Sequence, residues 1–217
     1  MPLTAHALAS LPIFPLPGVV LFPGALMPLF VFEPRYRELA ADVLLGNRLI
    51  GMARIAVGHE AKSAGNPPIC DVLGVGYVAA DFCRPDGCYE LLLRGVARAA
   101  IDEELPADRA YRRVRSRLIA DQTTDAPELA RSHARLIRLC ERLALSLDEG
   151  GAALTEVVRA VSSPSACADA LAAAFVRDLD HRQSLLAERD PLARVLQLES
   201  HIASLLLQTT PSSGLLN

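Results

Sequence analysis

The stretch LPIFPLPGVVLFPGALMPLFVF, which occupies residues 11–32, constrains the fold of this chain more than any other segment. Its 22 uncharged residues could span a membrane as a helix. Five prolines, however, leave no proline-free run longer than five residues, and each interior proline would cost a helix about 3 kcal/mol. The ten preceding residues contain no Lys or Arg, which a secretory signal would need. We therefore expect short, buried, extended pieces separated by turns, including Val19–Phe22 and Leu26–Phe32.

The charge and the cysteine content narrow the class of protein. The 217-residue chain has a net charge of −3, which gives no general attraction to nucleic acid or to an anionic membrane. Its 22 basic residues comprise 21 arginines and Lys62, so a reaction that needs lysine has a single candidate. Five cysteines without a tight metal-binding pattern, and the lack of a recognisable targeting segment, favour a soluble protein of the reducing cytoplasm.

Short apolar runs separated by Gly and Pro predict strands in the first half of the chain. The predicted strands are Arg48–Val57, Asp71–Phe82, Cys88–Leu93, Val96–Ile101 and Tyr111–Ile119. The sequence RPDG at Arg84–Gly87 is typical of a hairpin turn between two of them. One helix interrupts the strands, because Pro34 favours a first helical turn and Gly46 can end the helix. Residues 58–68 are predicted to form a polar loop.

From about residue 125 onwards, the apolar spacing becomes helical. The predicted helices cover 127–147 and 152–161, begin at Ser163–Pro164, and extend from Asp190 to Gln208. Asp180 and Gln183 have the spacing of a capping box, which predicts a further helix start. The sequence thus predicts an α+β protein with a strand-rich domain over 1–122 and an α-helical bundle over 123–217.

Several motifs of the chain resemble the N-terminal, substrate-binding domain of the Lon protease family. The opening segment carries the pattern LP-x-x-PL, VV-x-FPG and PL-x-VFE, and its continuation EPRYR is most similar to stand-alone relatives of that domain. The turn Arg84–Gly87 and the sequence LRGVAR at Leu93–Arg98 fit a hairpin and an L-x-G-x-x-R motif of the family. In the second half, CADAL at Cys167–Leu171 and QSLLAE at Gln183–Glu188 match more loosely.

The resemblance implies a PUA-like β pseudo-barrel followed by the helical bundle, in agreement with the pattern of the residues. It also implies a non-enzymatic module, with no cofactor, that recognises protein or peptide segments, including unfolded ones, and that has a protease as a further partner. Full Lon proteases carry a P-loop ATPase and a Ser-Lys protease. Lys62 is followed by Ser63 but lacks the glycine-rich loop that cradles phosphate, and it lies in a polar loop where it should stay charged. We therefore expect no catalytic residues.

Phe30, Phe32 and Tyr36 are the candidates for a protein-binding groove beside the first predicted helix. An extended peptide could bury its apolar side chains there and pair with an exposed sheet edge. The alternative that each of these three side chains belongs to the core remains open.

Two sets of arginines are candidates for contact with an anion. Arg113 and Arg115 share one face of a predicted strand, and Arg135 and Arg138 share one face of a predicted helix. PUA-like folds also occur in RNA-binding proteins, so the alternative function is a nucleic-acid-binding adaptor. The negative net charge and the ten aromatic residues argue against it, because nucleic-acid platforms use aromatic stacking. A solvated arginine face is the simpler interpretation.

Cys70, Cys83 and Cys88 surround the predicted hairpin. Structural zinc sites use four ligands in closely spaced pairs, and this spacing does not match them, so no metal site is predicted. Whether these three cysteines nevertheless bind a metal or pair with one another stays open.

Overall fold

The computed structural model describes residues 3–59, 65–122, 124–147, 150–161 and 163–209. These residues form two compact units. The first, here called the barrel unit, contains the described residues of 1–120 and 177–187, and the second, the helical unit, contains those of 121–176 and 188–209. The predicted loop 58–68 lies partly outside the described residues, and Lys62 lies wholly outside them.

The barrel unit contains all six strands and three helices of the described chain. Its elements are α1 (Ala5–Leu8), β1 (Leu11–Leu16), β2 (Leu26–Val31), α2 (Pro34–Leu45), β3 (Leu49–Arg54), β4 (Val72–Cys83), β5 (Tyr89–Glu104), β6 (Arg113–Leu118) and α6 (Leu179–Ala187). The helical unit contains α3 (Ala126–Ser146), α4 (Gly151–Ala160), α5 (Pro164–Phe175) and α7 (Pro191–Thr209).

The strands form one sheet that closes on itself. Their order is β2-β5-β4-β3-β1-β6, and β5 also pairs with β6, so that five strands form a ring and β2 is attached outside it. β1 and β3 are parallel, whereas the other pairs are antiparallel. This arrangement confirms the predicted α+β class, a PUA-like pseudo-barrel accompanied by a bundle of C-terminal helices.

The first part of the uncharged opening stretch is buried in the barrel, as predicted, whereas the predicted piece Leu26–Phe32 exposes the side chains of one face. Leu11 and Ile13 of β1 pack in one buried cluster and Phe14 packs in another on the opposite face of the strand, and Leu21 and Phe22 are fully buried. The predicted extended piece Val19–Phe22 forms no strand. Its backbone instead crosses over β4 and β5, where it can approach closely because two glycines lie beneath it.

The local turn signals were informative. Gly87 has a φ of 78° and donates its N–H to the carbonyl oxygen of Arg84 at 2.9 Å, which confirms the hairpin turn between β4 and β5. The structure has one strand, β5, in place of the two strands predicted over Cys88–Leu93 and Val96–Ile101. Its pairing with β4 continues past Gly95, because register shifts change the alignment of the two strands without ending their hydrogen bonding.

The predicted helices are present, with one correction at α6. The sequence predicts the capping residue at Asp180, but the Asp178 carboxylate accepts the N–H of His181 at 2.6 Å and so caps the first turn. Asp180 instead pairs with the Arg54 guanidinium at 2.5 Å. Of the described helices, none is long and apolar enough to cross a membrane.

Candidate functional site

The outward face of β2 exposes large apolar side chains. Side chains alternate along a strand, and on β2 the inward position Val31 is buried while Leu26 and Phe30 are 63% and 52% exposed. Phe32, directly after the strand, continues the outward series and is 59% exposed. The Phe30 and Phe32 rings stack with their centroids 6.0 Å apart. Two of the three predicted groove residues are therefore brought together on one surface.

The neighbouring strands extend this surface across the sheet. In the register of the sheet, Pro28 lies opposite Leu92 of β5, which lies opposite Ala80 of β4. Glu90 of β5 likewise lies between Phe30 and Phe82, and Phe82 is 59% exposed. We define the apolar face as the outward side chains of these three strands and of the residue after β2: Leu26, Pro28, Phe30, Phe32, Ala80, Phe82 and Leu92.

A cleft of about 610 Å³ lies on the apolar face, lined by residues of β2, β4 and β5 that include Pro28, Phe30 and Phe82. This volume is within the range of ligand-binding clefts in proteins. Exposed apolar patches with a polar rim mark interaction surfaces. The shape and the composition of the cleft thus suit an apolar side chain of a partner.

One arginine lies between two carboxylates at one end of the apolar face. The Arg84 guanidinium lies 5.6 Å from the centroid of the Phe30 ring and donates to the Glu90 carboxylate at 2.9 Å. The Asp86 carboxylate is 3.6 Å from Arg84 on the same hairpin. A cation at this distance is attracted to the face of the aromatic ring.

β2 is an edge strand. Within the described residues it pairs with β5 along one side and has no strand partner along the other. Backbone N–H and C=O groups on such an edge can pair with an added strand. The free edge and the apolar face therefore adjoin one another on the same element.

Tyr36, the third predicted groove residue, lies in the core. Its ring is 5% exposed and stacks on Phe14 with a centroid distance of 4.0 Å, while the Arg35 guanidinium covers it at 4.5 Å. Burial raises the pKa of the Tyr36 hydroxyl above its ordinary value. The groove prediction therefore does not hold for Tyr36, because the first apolar position of α2 faces the barrel interior.

The arginines predicted to face anions on β6 are paired with acidic residues instead. Arg113 donates to the Ser10 hydroxyl at 2.8 Å and to the Asp108 carboxylate at 2.5 Å. Arg115 forms an ion pair with Glu103 of β5 at 2.5 Å. These carboxylates offset the positive charge of the strand, so the β6 arginines do not form a basic patch.

Arg135 and Arg138 of α3 lie in a different setting. Arg135 donates to the Glu199 carboxylate of α7 at 3.0 Å and to the Ser132 hydroxyl at 2.7 Å, whereas Arg138 is exposed. Both line one cleft of the helical unit, together with Arg142. The structure thus brings this predicted pair together and adds a third arginine.

The hairpin cysteines do not face one another. Cys83 lies opposite Tyr89 in the pairing of β4 with β5, so Cys88, the residue just before β5, points to the other side of the sheet. All five cysteines are free thiols, and burial raises the pKa of the Cys70 thiol, which makes it less reactive. Among the described residues, no group of three or more His, Cys, Asp and Glu side chains is placed to hold a metal ion.

The sequence interpretation missed the part of the apolar face that lies beyond β2. Phe82 was assigned correctly to a strand, but its outward direction depends on the register between β4 and β5. Alternation along the end of β4 could not have found it, because a register shift between Val78 and Ala80 interrupts the period of two and residues 79–83 are all exposed.

Comparisons with known proteins agree with this architecture. The family model of the ATP-dependent protease La (LON) substrate-binding domain matches residues 10–204. The chain is 28% identical over 189 residues to Lon protease 2 of Myxococcus xanthus, and 28% identical over 191 residues to the Lon protease of Anaeromyxobacter dehalogenans. These matches cover 85% and 86% of this chain but only 22% of each relative, so the chain spans about a fifth of the length of the curated relatives it matches.

Two solved structures have the same fold. The crystal structure of a Lon N-terminal domain protein from Xanthomonas campestris has a TM-score of 0.64 and 25% sequence identity, and the match covers 88% of this chain and 97% of that one. The N-terminal domain of the Mycobacterium avium complex Lon protease has a TM-score of 0.70 with coverage of 89% and 98%. Its identity of 17% supports a common fold alone.

Proposed function

The chain belongs to the family of LON substrate-binding domains, and from this premise we propose that it binds exposed or unfolded protein segments on the apolar face of β2, β5 and β4. The observation that carries the proposal is the exposure of three phenylalanines, Phe30, Phe32 and Phe82, side by side on one sheet surface. Apolar side chains are unfavourable in water, and contact with the apolar residues of a partner would bury them.

Two features of the apolar face suit a client of variable sequence. Aromatic side chains bury a large area without requiring a specific hydrogen-bond pattern in the partner. The free edge of β2 offers backbone hydrogen bonds, which any extended segment can form. Folded clients would bind poorly, because their apolar residues are already buried and their backbone groups are already hydrogen-bonded.

We propose further that the chain acts without catalysis of its own, and that a protease is one of its partners. The relatives that carry the name Lon protease are matched over about a fifth of their length, and the sequence of this chain lacks a glycine-rich phosphate-binding loop. The five free thiols suit a reducing cytoplasm as the place of action.

The test compares neutral substitutions on and off the apolar face. Phe30→Ser with Phe82→Ser removes two aromatic rings from the face, and Leu45→Ser with Val57→Ser removes two apolar side chains that are 89% and 64% exposed elsewhere on the barrel unit. Binding of a fluorescein-labelled, reduced and alkylated protein is measured by fluorescence anisotropy. We expect the face variant to bind about tenfold more weakly, as for loss of interface aromatics, and the control to bind like the wild type.

Circular dichroism would establish that both variants fold, which the exposure of all four side chains leads us to expect. Equal affinity of the face variant and the wild type for the unfolded probe would overturn the proposal. The proposal would also be overturned if the native form of the probe protein bound as tightly as its reduced and alkylated form.

A further inference from the structure

A second cleft, of about 570 Å³, lies within the helical unit and is independent of the apolar face. It is lined by one face of α3 and one face of α7: Arg135, Arg138, Leu139, Arg142, Glu199, Ser200 and Ala203. The α3 residues follow the spacing i, i+3, i+4 and i+7, which places them along one side of that helix. The cleft is thus a continuous surface about two helical turns long.

The cleft carries an excess of positive charge. Arg135 is paired with Glu199 at 3.0 Å, and the Glu199 side chain is only 14% exposed. Within the described part of the chain, neither Arg138 nor Arg142 forms an ion pair, and both are exposed. Three arginines and one glutamate leave a local charge of about +2, although the whole chain is acidic.

We propose that this cleft binds an acidic segment of a partner protein, with carboxylates on Arg138 and Arg142 and an apolar side chain against Leu139 and Ala203. Guanidinium groups form paired, charge-assisted hydrogen bonds with carboxylates. The apolar residues between the arginines favour a peptide that alternates acidic and apolar residues over a simple inorganic anion. This proposal rests on the helical unit alone and does not depend on the function proposed for the apolar face.

Protein is favoured over nucleic acid as the occupant for a reason of composition. Single-stranded nucleic acid is bound by stacking its bases on aromatic side chains. Among the described residues of the helical unit, Phe175 is the one Phe, Tyr or Trp, and it does not line the cleft. An acidic peptide needs no stacking partner.

The experiment uses the full chain and two labelled twelve-residue peptides. One repeats Glu-Leu-Glu-Ala, and its matched control repeats Gln-Leu-Gln-Ala. Arg138→Gln with Arg142→Gln removes two charges from the cleft, whereas Arg131→Gln with Arg159→Gln removes two exposed charges of the same unit that do not line it. Anisotropy titrations at low and high salt give the affinity of each variant for each peptide.

We expect the acidic peptide to bind the wild type more tightly than the Gln peptide, and to lose affinity as salt increases. The cleft variant should bind it about tenfold more weakly with a flatter salt dependence, while the control variant should stay within about twofold of the wild type. If the cleft variant and the control variant lost affinity equally, the peptide would be attracted by the overall charge of the chain and not by the cleft, which would overturn the proposal. So would a single-stranded oligonucleotide that binds the wild type more tightly than the acidic peptide and displaces it.

Discussion

At the scale of single residues, two glycines allow Leu21 and Phe22 of the opening stretch to be buried. A Cβ atom at Gly74 would lie 2.0 Å from the Leu21 carbonyl oxygen, and one at Gly95 would lie 2.0 Å from the Phe22 carbonyl oxygen. The crossing segment is also hydrogen-bonded to β5, since the Gly24 N–H donates to the Gly95 carbonyl oxygen at 2.9 Å. Only residues without a side chain permit backbone to pack directly on backbone in this way.

Gly95→Ala should therefore destabilise the barrel unit. The added methyl group has no space, and overpacking of this kind costs about 1–3 kcal/mol. The matched control is Gly18→Ala in the same segment, where a Cβ atom would meet nothing within 4 Å. The control should unfold at the same urea concentration as the wild type or slightly above it. Identical midpoints for the two variants would show that the crossing segment is not held against β5.

At the scale of elements, the helices were the easiest part to predict. The helix predicted over 127–147 is α3 at Ala126–Ser146, and the one predicted over 152–161 is α4 at Gly151–Ala160. Their ends are set by local chemistry, for example the Asp125 carboxylate, which accepts the Glu128 N–H at 2.9 Å. Signals of this kind involve residues that are close in sequence, so they are visible without the structure.

β1 could not be predicted in the same way, because Pro12 and Pro15 argue against a strand inside a sheet. The structure accommodates them because β1 changes partner along its length. Pro12 pairs with Arg113 of β6, and Pro15 pairs with Ala53 of β3. Each proline thus has a strand along one side only, and the missing N–H can lie on the other side.

The candidate site was only half predictable for a related reason. Phe30 and Phe32 alternate with Leu29 and Val31, so both faces of β2 are apolar and the sequence cannot show which face is exposed. Phe82 reaches the same surface from a distant strand through the register of β4 and β5. Long-range register is a property of the assembled sheet, and no local pattern encodes it.

A buried arginine joins the elements of the helical unit. Arg194 of α7 is 1% exposed and donates to the Asp169 carboxylate of α5 at 3.1 Å. It also donates to the Asp121 carboxylate at 2.6 Å and to the Ser165 hydroxyl at 2.7 Å. One side chain therefore connects α7, α5 and the segment that precedes α3.

Arg194→Met should destabilise the helical unit by about 3–5 kcal/mol, since it removes the guanidinium that is paired with the buried Asp169 carboxylate. Asp169→Asn in the same chain should restore part of this loss by removing the charge that was left behind. Arg189→Met, at an exposed arginine of the same unit, should stay within about 0.5 kcal/mol of the wild type. Urea unfolding gives the free energy of unfolding of all three variants. If Arg194→Met lost no more stability than Arg189→Met, Arg194 would not hold the elements of the helical unit together.

At the scale of the whole molecule, the chain path makes the barrel unit discontinuous in sequence. The chain leaves this unit after Ala120, returns for Arg177–Ala187 and leaves again. The returning segment contains α6, which supplies hydrogen-bond partners to the strands. Arg54 of β3, 6% exposed, donates to the Leu179 carbonyl oxygen at 2.8 Å and pairs with Asp180 at 2.5 Å. A further bond runs from the Gln183 amide to the Val72 carbonyl oxygen at 2.8 Å.

A fragment that ends at Ala120 should consequently be much less stable than the barrel unit with α6. Without α6, the Arg54 guanidinium loses its carboxylate and its carbonyl acceptor, and the Val72 carbonyl oxygen loses the Gln183 amide, which together should cost several kcal/mol. Joining Ala120 to Arg177 through a flexible Gly/Ser linker restores α6 and should restore a cooperative urea transition. Arg54→Met in the short fragment is the matched comparison, because it removes the guanidinium that has lost its partners and should recover part of the stability. If the short fragment unfolds at the same urea concentration as the linked form, α6 contributes nothing to the barrel, and a domain boundary at residues 122 and 123 would separate two parts that fold independently.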